Sequence, residues 1–323
     1  MKEKPRKMIS SPMGKILLFY KYVSIQYPKQ ILKWQESLCT ELGLKGRIIL
    51  AHEGINATLG GNAENCERYK LAMEQHPLFG GIDFKESAGD ENYFPRLRIV
   101  VKNEIVYLGL DPEKIRAEDG GTHVSPELAH KMMAEKDENL VILDCRNTYE
   151  TSIGTFVDSI KPPTQYFREF PGYVDNNADL FKDKQVLMFC TGGIRCERAS
   201  AYLKSKGVAQ EVYQIEGGIH RYIEQFPDGF FRGKNYVFDA RVSVKVNEDV
   251  LGSCALCQKP CDEYVNCLNA SCNKHFICCA TCLVEYKKCC STTCVDLLAS
   301  GQVAPRPSRI KVEDQSVTQA CDL

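Results

Sequence analysis

A chain of 323 residues with a formal charge of -1 has room for two domains and a small third one. Near-neutral charge gives no global drive toward nucleic acid or membrane, so an RNA partner needs a local basic patch. The only apolar run near the amino end, Ile16–Phe19, is too short for a signal peptide, and no run approaches a membrane span, so the expected compartment is the cytoplasm. Eleven of the 17 cysteines fall between Cys254 and Cys294. Such crowding predicts a local metal or redox module rather than a disulfide scaffold.

In chain order, Ile16–Ile25 alternates and is aromatic-rich, predicting a strand, and Pro28–Leu42 has helical spacing stopped by Gly43. Arg47–Ala51 and Ile55–Leu59 read as strands, Asn62–Gln75 as a helix, and Asp83–Ser87, Leu97–Val101 and Ile105–Leu108 as further strands. The order β-α-β-β-α-β with an extra strand predicts a ferredoxin-like (acylphosphatase-like) α+β sandwich over residues 1–110. Lys45, Arg47, Arg96 and Arg98 are either solvated hairpin charges or one basic strip for phosphates.

Residues 111–121 read as a charged linker. Ser125-Pro126-Glu127 is a strong helix start, and Val141–Leu143 a buried strand ending in Asp144-Cys145-Arg146. Phe167–Val174 is an aromatic loop whose Tyr166, Phe167 and Phe170 can stack on a base or simply pack, with Arg168 as a further RNA contact. A strand at Val186–Phe189 leads into Cys190-Thr-Gly-Gly-Ile-Arg-Cys-Glu197, a helix over Arg198–Lys206, a strand at Glu211–Ile215 and the Glu216-Gly217-Gly218 turn. Alternating strands and helices over 122–230 predict a parallel sheet with its site at the carboxyl ends of the strands, where Asp144, Cys190 and the Gly217-Gly218 turn converge. A cysteine between a strand and a helix N-terminus, followed by glycines and Arg195, is placed to be a thiolate.

These residues resemble a rhodanese domain: Asp144-x-Arg146, Cys190-Thr-Gly-Gly-Ile-Arg195 and Glu216-Gly217-Gly218. The Cys-x4-Arg spacing favours sulfur chemistry over phosphate, since phosphatases of similar fold have one more residue in the loop. Gly46-Arg-Ile-Ile-Leu-Ala with Glu53-Gly-Ile-Asn56, Asp144-Cys-Arg-Asn-x-Tyr-Glu150, Phe167-Arg-Glu-Phe-Pro171 and the cysteine loop, in that order and with the Cys-rich tail, extend the match. Over roughly residues 15–295 the chain resembles the bacterial tRNA uridine(34) hydroxylase family. The resemblance implies oxygen-dependent formation of 5-hydroxyuridine at the wobble position, with molecular oxygen as co-substrate and the anticodon loop of tRNA as partner. Where the family carries Ile-Gly-His, this chain has Ile153-Gly154-Thr155.

Within that reading Cys190 is the nucleophile, also able to carry a persulfide, and Arg195 holds an anionic intermediate. Thr191, Gly192, Gly193 and Ile194 supply loop donors. Cys196 either resolves an oxidised Cys190 or faces the sheet, and Asp144 and Arg146 brace the loop. Cys145 is expected in the core and His220 to be a surface or satisfied histidine. The loop alone equally suits a sulfurtransferase carrying a cysteine persulfide. No flavin or nicotinamide fingerprint is visible. In the Cys-rich module, expected over 231–300, the pairs 254/257, 267/272, 279/282 and 290/294 fit two tetrahedral sites in which alternate pairs share a zinc. The competing readings are a reduced module without metal, or disulfides. Residues 301–323 are expected to be disordered.

Overall fold

The computed structural model describes residues 14–90 and 93–307. Two compact units divide at Gly252/Ser253. In the first, β1 (Gly14–Tyr22), α1 (Pro28–Glu41), β2 (Lys45–Ala51), β3 (Gly54–Asn62), α2 (Ala63–Gln75), β4 (Lys85–Gly89) and β5 (Leu97–Val101) follow the expected order. They form one sheet, β4-β1-β3-β2-β5, antiparallel except that β5 pairs parallel to β2. Alternation sends Leu17, Phe19, Ile48, Leu50, Ala57 and Leu59 to the helical face, where they form the core. The opposite face carries Leu18, Tyr20, Arg47, Ile49, Asn56 and Thr58, and this face meets the second layer of the unit.

Ile105–Leu108 is not a strand. Glu53 accepts from the Ile105 N–H and Glu104 from the Leu108 N–H, so carboxylates take the donors a sheet edge would have used. Nor is 111–121 a free linker. The guanidinium of the buried Arg198 donates to the carbonyls of Leu110 and Ile115 and pairs with Glu104, pinning the segment to the next domain.

That domain comprises β6 (Thr122–Val124), α3 (Pro126–Glu135), β7 (Leu140–Asp144), α4 (Thr148–Thr151), β8 (Gly154–Phe156), α5 (Phe170–Asn176), β9 (Gln185–Phe189), α6 (Ile194–Ser205), β10 (Glu211–Ile215) and α7 (Gly218–Gln225). Its central sheet is parallel, in the order β6-β10-β9-β7. The Ser125 hydroxyl caps α3 as its sequence predicts. The aromatic stretch after Tyr166 is helical rather than a loop, and Phe170 and Val174 are buried in the core. β11 (Phe231–Tyr236) pairs with β8 and with β12 (Ser243–Lys245), so the chain past 231 belongs to this unit up to Gly252.

The second unit, taken alone, is a hairpin of β13 (Tyr264–Asn266) and β14 (His275–Ile277), followed by α8 (Ala280–Glu285) and α9 (Thr292–Ala299). The segment expected to be disordered begins packed: Ala270 and Arg306 donate backbone hydrogen bonds that tie Ala304–Arg306 to the hairpin side. Residues 308–323 lie outside the described residues.

Candidate active site

Cys190 follows β9, where the parallel sheet ends and α6 begins. The helix starts at Ile194, four residues earlier than its apolar pattern predicts. Gly193 permits this by adopting φ 102°, which turns the chain at once into helical geometry and puts Ile194, Arg195 and Cys196 in the first turn. The loop closes around the sulfur, with the Gly193 N–H donating to Cys190 Sγ at 3.1 Å. Burial alone would push this thiol up. The Cys196 thiol beside it, the Arg195 guanidinium and the backbone N–H groups of Arg195 and Gly192 outweigh burial and bring Cys190 down to about 5. At neutral pH it is a thiolate.

Arg195 is itself held. Its guanidinium makes a bidentate pair with Glu150 at 2.5 and 2.7 Å, and Thr191 Oγ1 bridges the two. Glu150 is fully buried, and burial raises its pKa, yet Arg195 beside it leaves the carboxyl below its ordinary value. Sequence reasoning missed this residue as a functional group. Its signal was Asn147-x-x-Glu150, a helix-start pattern in which Glu150 accepts from the Asn147 N–H.

Asp144 and Arg146 form a fully buried ion pair, as expected of a brace, but it does not reach the loop through hydrogen bonds. Its further partners are the Gly154 carbonyl and the Thr155 hydroxyl, which donates to Asp144 at 2.8 Å. Thr155 therefore has a structural task where a histidine was expected. The brace of the loop is Glu150. Cys145 is buried, and both Cys145 and Cys190 act on the intervening Cys196 thiol, whose pKa they and burial raise. None of the three is joined in a disulfide. His220 is half-buried: its backbone N–H donates to the Thr191 carbonyl, and burial pulls its imidazole down to about 4.

A cavity of about 510 Å³ opens over Cys190, Thr191 and Arg195, in the range of small-ligand sites. One side is the exposed face of the first sheet, including Arg47, Asn56 and Thr58; the other carries Tyr149, Phe167, Tyr236 and Phe238. Tyr20 joins sheet to loop, its hydroxyl donating to Glu197 at 2.9 Å. Of the candidate stacking residues only Phe167 lines the cavity. Phe170 is core, and Tyr166 is exposed beneath the Arg168 guanidinium, 4.8 Å from its ring. Lys45, Arg47 and Arg98 share one sheet face, Arg47 and Arg98 side by side in register, with Arg96 just before β5. Among the described residues none of these four cations has a carboxylate partner, and partial desolvation together with the Arg98 charge lowers the Arg47 pKa.

In the second unit, Cys254, Cys257, Cys279 and Cys282 form one cluster and Cys267, Cys272, Cys290 and Cys294 another, each with all sulfurs within 4.8 Å of one another. These are the alternate pairs expected from the spacing. Sulfur separations of 3.7 Å (257–279), 3.6 Å (272–290) and 3.9 Å (290–294) are far beyond a disulfide bond. They match the ~3.8 Å edge of a tetrahedron with ~2.3 Å metal–sulfur bonds. Each cluster can hold a metal ion. Cys261, Cys278 and Cys289 stand outside both.

Three family profiles cover most of the chain: a UPF0176 acylphosphatase-like domain over 14–105, a rhodanese-like domain over 125–225 and a rhodanase C-terminal region over 232–295. A protein of Corynebacterium aurimucosum named tRNA uridine(34) hydroxylase is 39% identical over 305 residues, covering 89% of this chain and 98% of that protein. One of the same name from onion yellows phytoplasma is 37% identical over 284 residues, covering 86% of this chain and 91% of its own. Rhodanese-like domain-containing protein 6 of Arabidopsis thaliana is 42% identical over 274 residues, 77% of this chain and 47% of that protein.

Proposed function

The chain belongs to the tRNA uridine(34) hydroxylase family, and on that premise we propose that Cys190 is the nucleophile through which it hydroxylates the wobble uridine of tRNA. It is an enzyme of the oxidoreductase type, built on a rhodanese-like cysteine loop. The observation that carries the role of Cys190 is a buried sulfur that accepts from the Gly193 N–H and lies with Arg195 at the floor of a cavity large enough for a nucleotide. Addition of the thiolate to C6 of uracil would move ring electrons toward C5, which takes one oxygen atom of molecular oxygen as hydroxyl while a two-electron donor reduces the other atom to water; release of the C5 proton and of the thiolate then restores the ring. Arg195 and the loop N–H groups of Thr191, Gly192, Gly193 and Ile194 stabilise negative charge beside the sulfur.

The substrate on this reading is the unpaired base of an anticodon loop, with Lys45, Arg47, Arg96 and Arg98 taking neighbouring phosphates and Arg168 a more distant one. Molecular oxygen is the co-substrate and the cytoplasm the place of work. No helix of the described residues is long and apolar enough to cross a membrane. We assign zinc to both cysteine clusters on the fit of their sulfur separations to tetrahedral thiolate coordination. Its part there is to hold the module folded.

Nucleoside mass spectrometry of tRNA from cells with and without the gene tests the reaction. Loss of 5-hydroxyuridine-derived wobble nucleosides is expected, and a Cys190→Ser protein that still makes them removes the thiol from the mechanism. Unchanged tRNA together with thiosulfate:cyanide turnover would instead assign the loop to sulfur transfer.

A further inference from the structure

The reaction needs a pyrimidine pulled out of its stack and held flat beside Cys190, and of the residues offered for stacking on the sequence only Phe167 lines the cavity. The cavity wall facing the basic sheet does. Tyr149 and Tyr236 meet edge to face with centroids 5.1 Å apart, and Tyr236 meets Phe238 in the same way at 5.4 Å. All three rings line the cavity whose floor is Cys190 and Arg195.

Their supports differ from ordinary core packing. Tyr149 is adjacent to Glu150 on α4, so one short helix sets both the wall and the anchor of Arg195; its hydroxyl also accepts from Asn147 at 3.1 Å. Tyr236 ends β11, and Phe238 lies in the turn between β11 and β12. That turn is fixed by a chelate in which Arg241 donates to Asp239 from its backbone N–H at 3.0 Å, Nε at 2.9 Å and Nη2 at 2.5 Å. Yet Phe238 remains 51% exposed, whereas Phe231 at the start of β11 is fully buried. A phenyl ring held by a rigid turn but left half in water has no packing role that accounts for it. An aromatic face in the cavity that Arg47 also lines matches single-stranded nucleic acid, whose bases stack on rings while its phosphates meet positive charge.

We propose that Tyr149, Tyr236 and Phe238 form the stacking wall that receives an extruded pyrimidine above Cys190. This rests on the tRNA reading given above. The probes are two anticodon stem-loops, one with uridine and one with an abasic site at position 34, and binding is followed by fluorescence anisotropy. The wild-type chain should prefer the uridine loop. Tyr236→Ala/Phe238→Ala should weaken the uridine loop about ten- to a hundredfold and leave the abasic loop unchanged, so that the preference collapses. Phe238→Trp should keep it. If the double variant does not fold, Phe238→Ala alone serves, because the ring is half exposed; a melting curve verifies the fold. A preference unchanged in the folded variant overturns the wall and leaves the tRNA reading standing. A wild-type chain that binds both loops equally likewise overturns the wall alone, and one that binds neither loop overturns both.

Discussion

Arg195 and Glu150, 45 positions apart in sequence, form a bidentate ion pair inside the fold, with the Glu150 side chain fully buried and that of Arg195 only 7% exposed. The pair fixes the guanidinium that helps keep Cys190 ionised, so a carboxylate that touches no reacting atom governs the reactivity of the thiol. Glu150→Gln preserves shape and removes the charge, leaving the buried Arg195 without its hydrogen-bonded carboxylate and with only the Cys190 thiolate to offset it. The expected cost is about 3–5 kcal/mol in denaturant unfolding. Stability within 1 kcal/mol of wild type would show that the pair does not matter.

The thiol itself should titrate low. Alkylation of Cys190 by iodoacetamide needs the thiolate, so its rate should rise with pH through about 5 and stay flat above it, against ~8.5 for an ordinary cysteine. Arg195→Gln should move the inflection upward. Because the folded value lies below that of the unfolded chain, ionisation favours the fold: the contribution is complete above the unfolded pKa and is lost as pH falls through about 5. An inflection near 8.5 in the wild-type chain would refute the activated thiolate.

Gly218 is the close approach that keeps the loop closed. It has φ 63°, and a Cβ there would lie 2.4 Å from the Cys190 carbonyl oxygen and 2.8 Å from the Gly193 nitrogen, both backbone atoms. Gly218→Ala cannot be relieved by a side-chain rotation. We expect a loss of about 1–2 kcal/mol from the left-handed backbone alone. Displacement of the loop N–H groups should also raise the alkylation inflection of Cys190. A variant with wild-type reactivity would count against the loop geometry.

Metal analysis of protein prepared with reductant should find two zinc ions per chain, and fewer than about one per two chains would count against zinc. Cys254→Ser and Cys294→Ser should each remove one ion, since each belongs to a different cluster. Cys261→Ser should retain both. A chelator should melt the module at a lower temperature, because binding energy is folding energy in a segment with so small an apolar core.

Thr155→Val tests the residue that replaces the expected histidine. It removes the hydroxyl that donates to Asp144 and leaves the buried carboxylate one donor short. A loss of about 1.5–3 kcal/mol should appear in thermal or chemical unfolding. No loss would place Thr155 outside the brace.

Much of this was legible locally. Period-two and helical spacing located the strands and helices around Cys190, the Ser125 cap marked the start of α3, and the cysteine spacing paired the two clusters correctly. Each of these signals is written within a few residues by backbone hydrogen bonding and side-chain alternation. What failed locally was lost to long-range partners. Ile105–Leu108 has the composition of a strand, but the carboxylates of Glu53 and Glu104 claim its N–H groups, and α6 gains a turn because Gly193 can take a positive φ. By itself the sequence determined an activated cysteine at the end of a parallel strand, and the family. Only tertiary structure decided that Glu150 anchors Arg195, that among the described residues the four cations have no carboxylate partners, and that Tyr149, Tyr236 and Phe238 wall the cavity over Cys190. Those relations join residues far apart in the chain, and they follow from packing one sheet face against another domain, which no local pattern encodes.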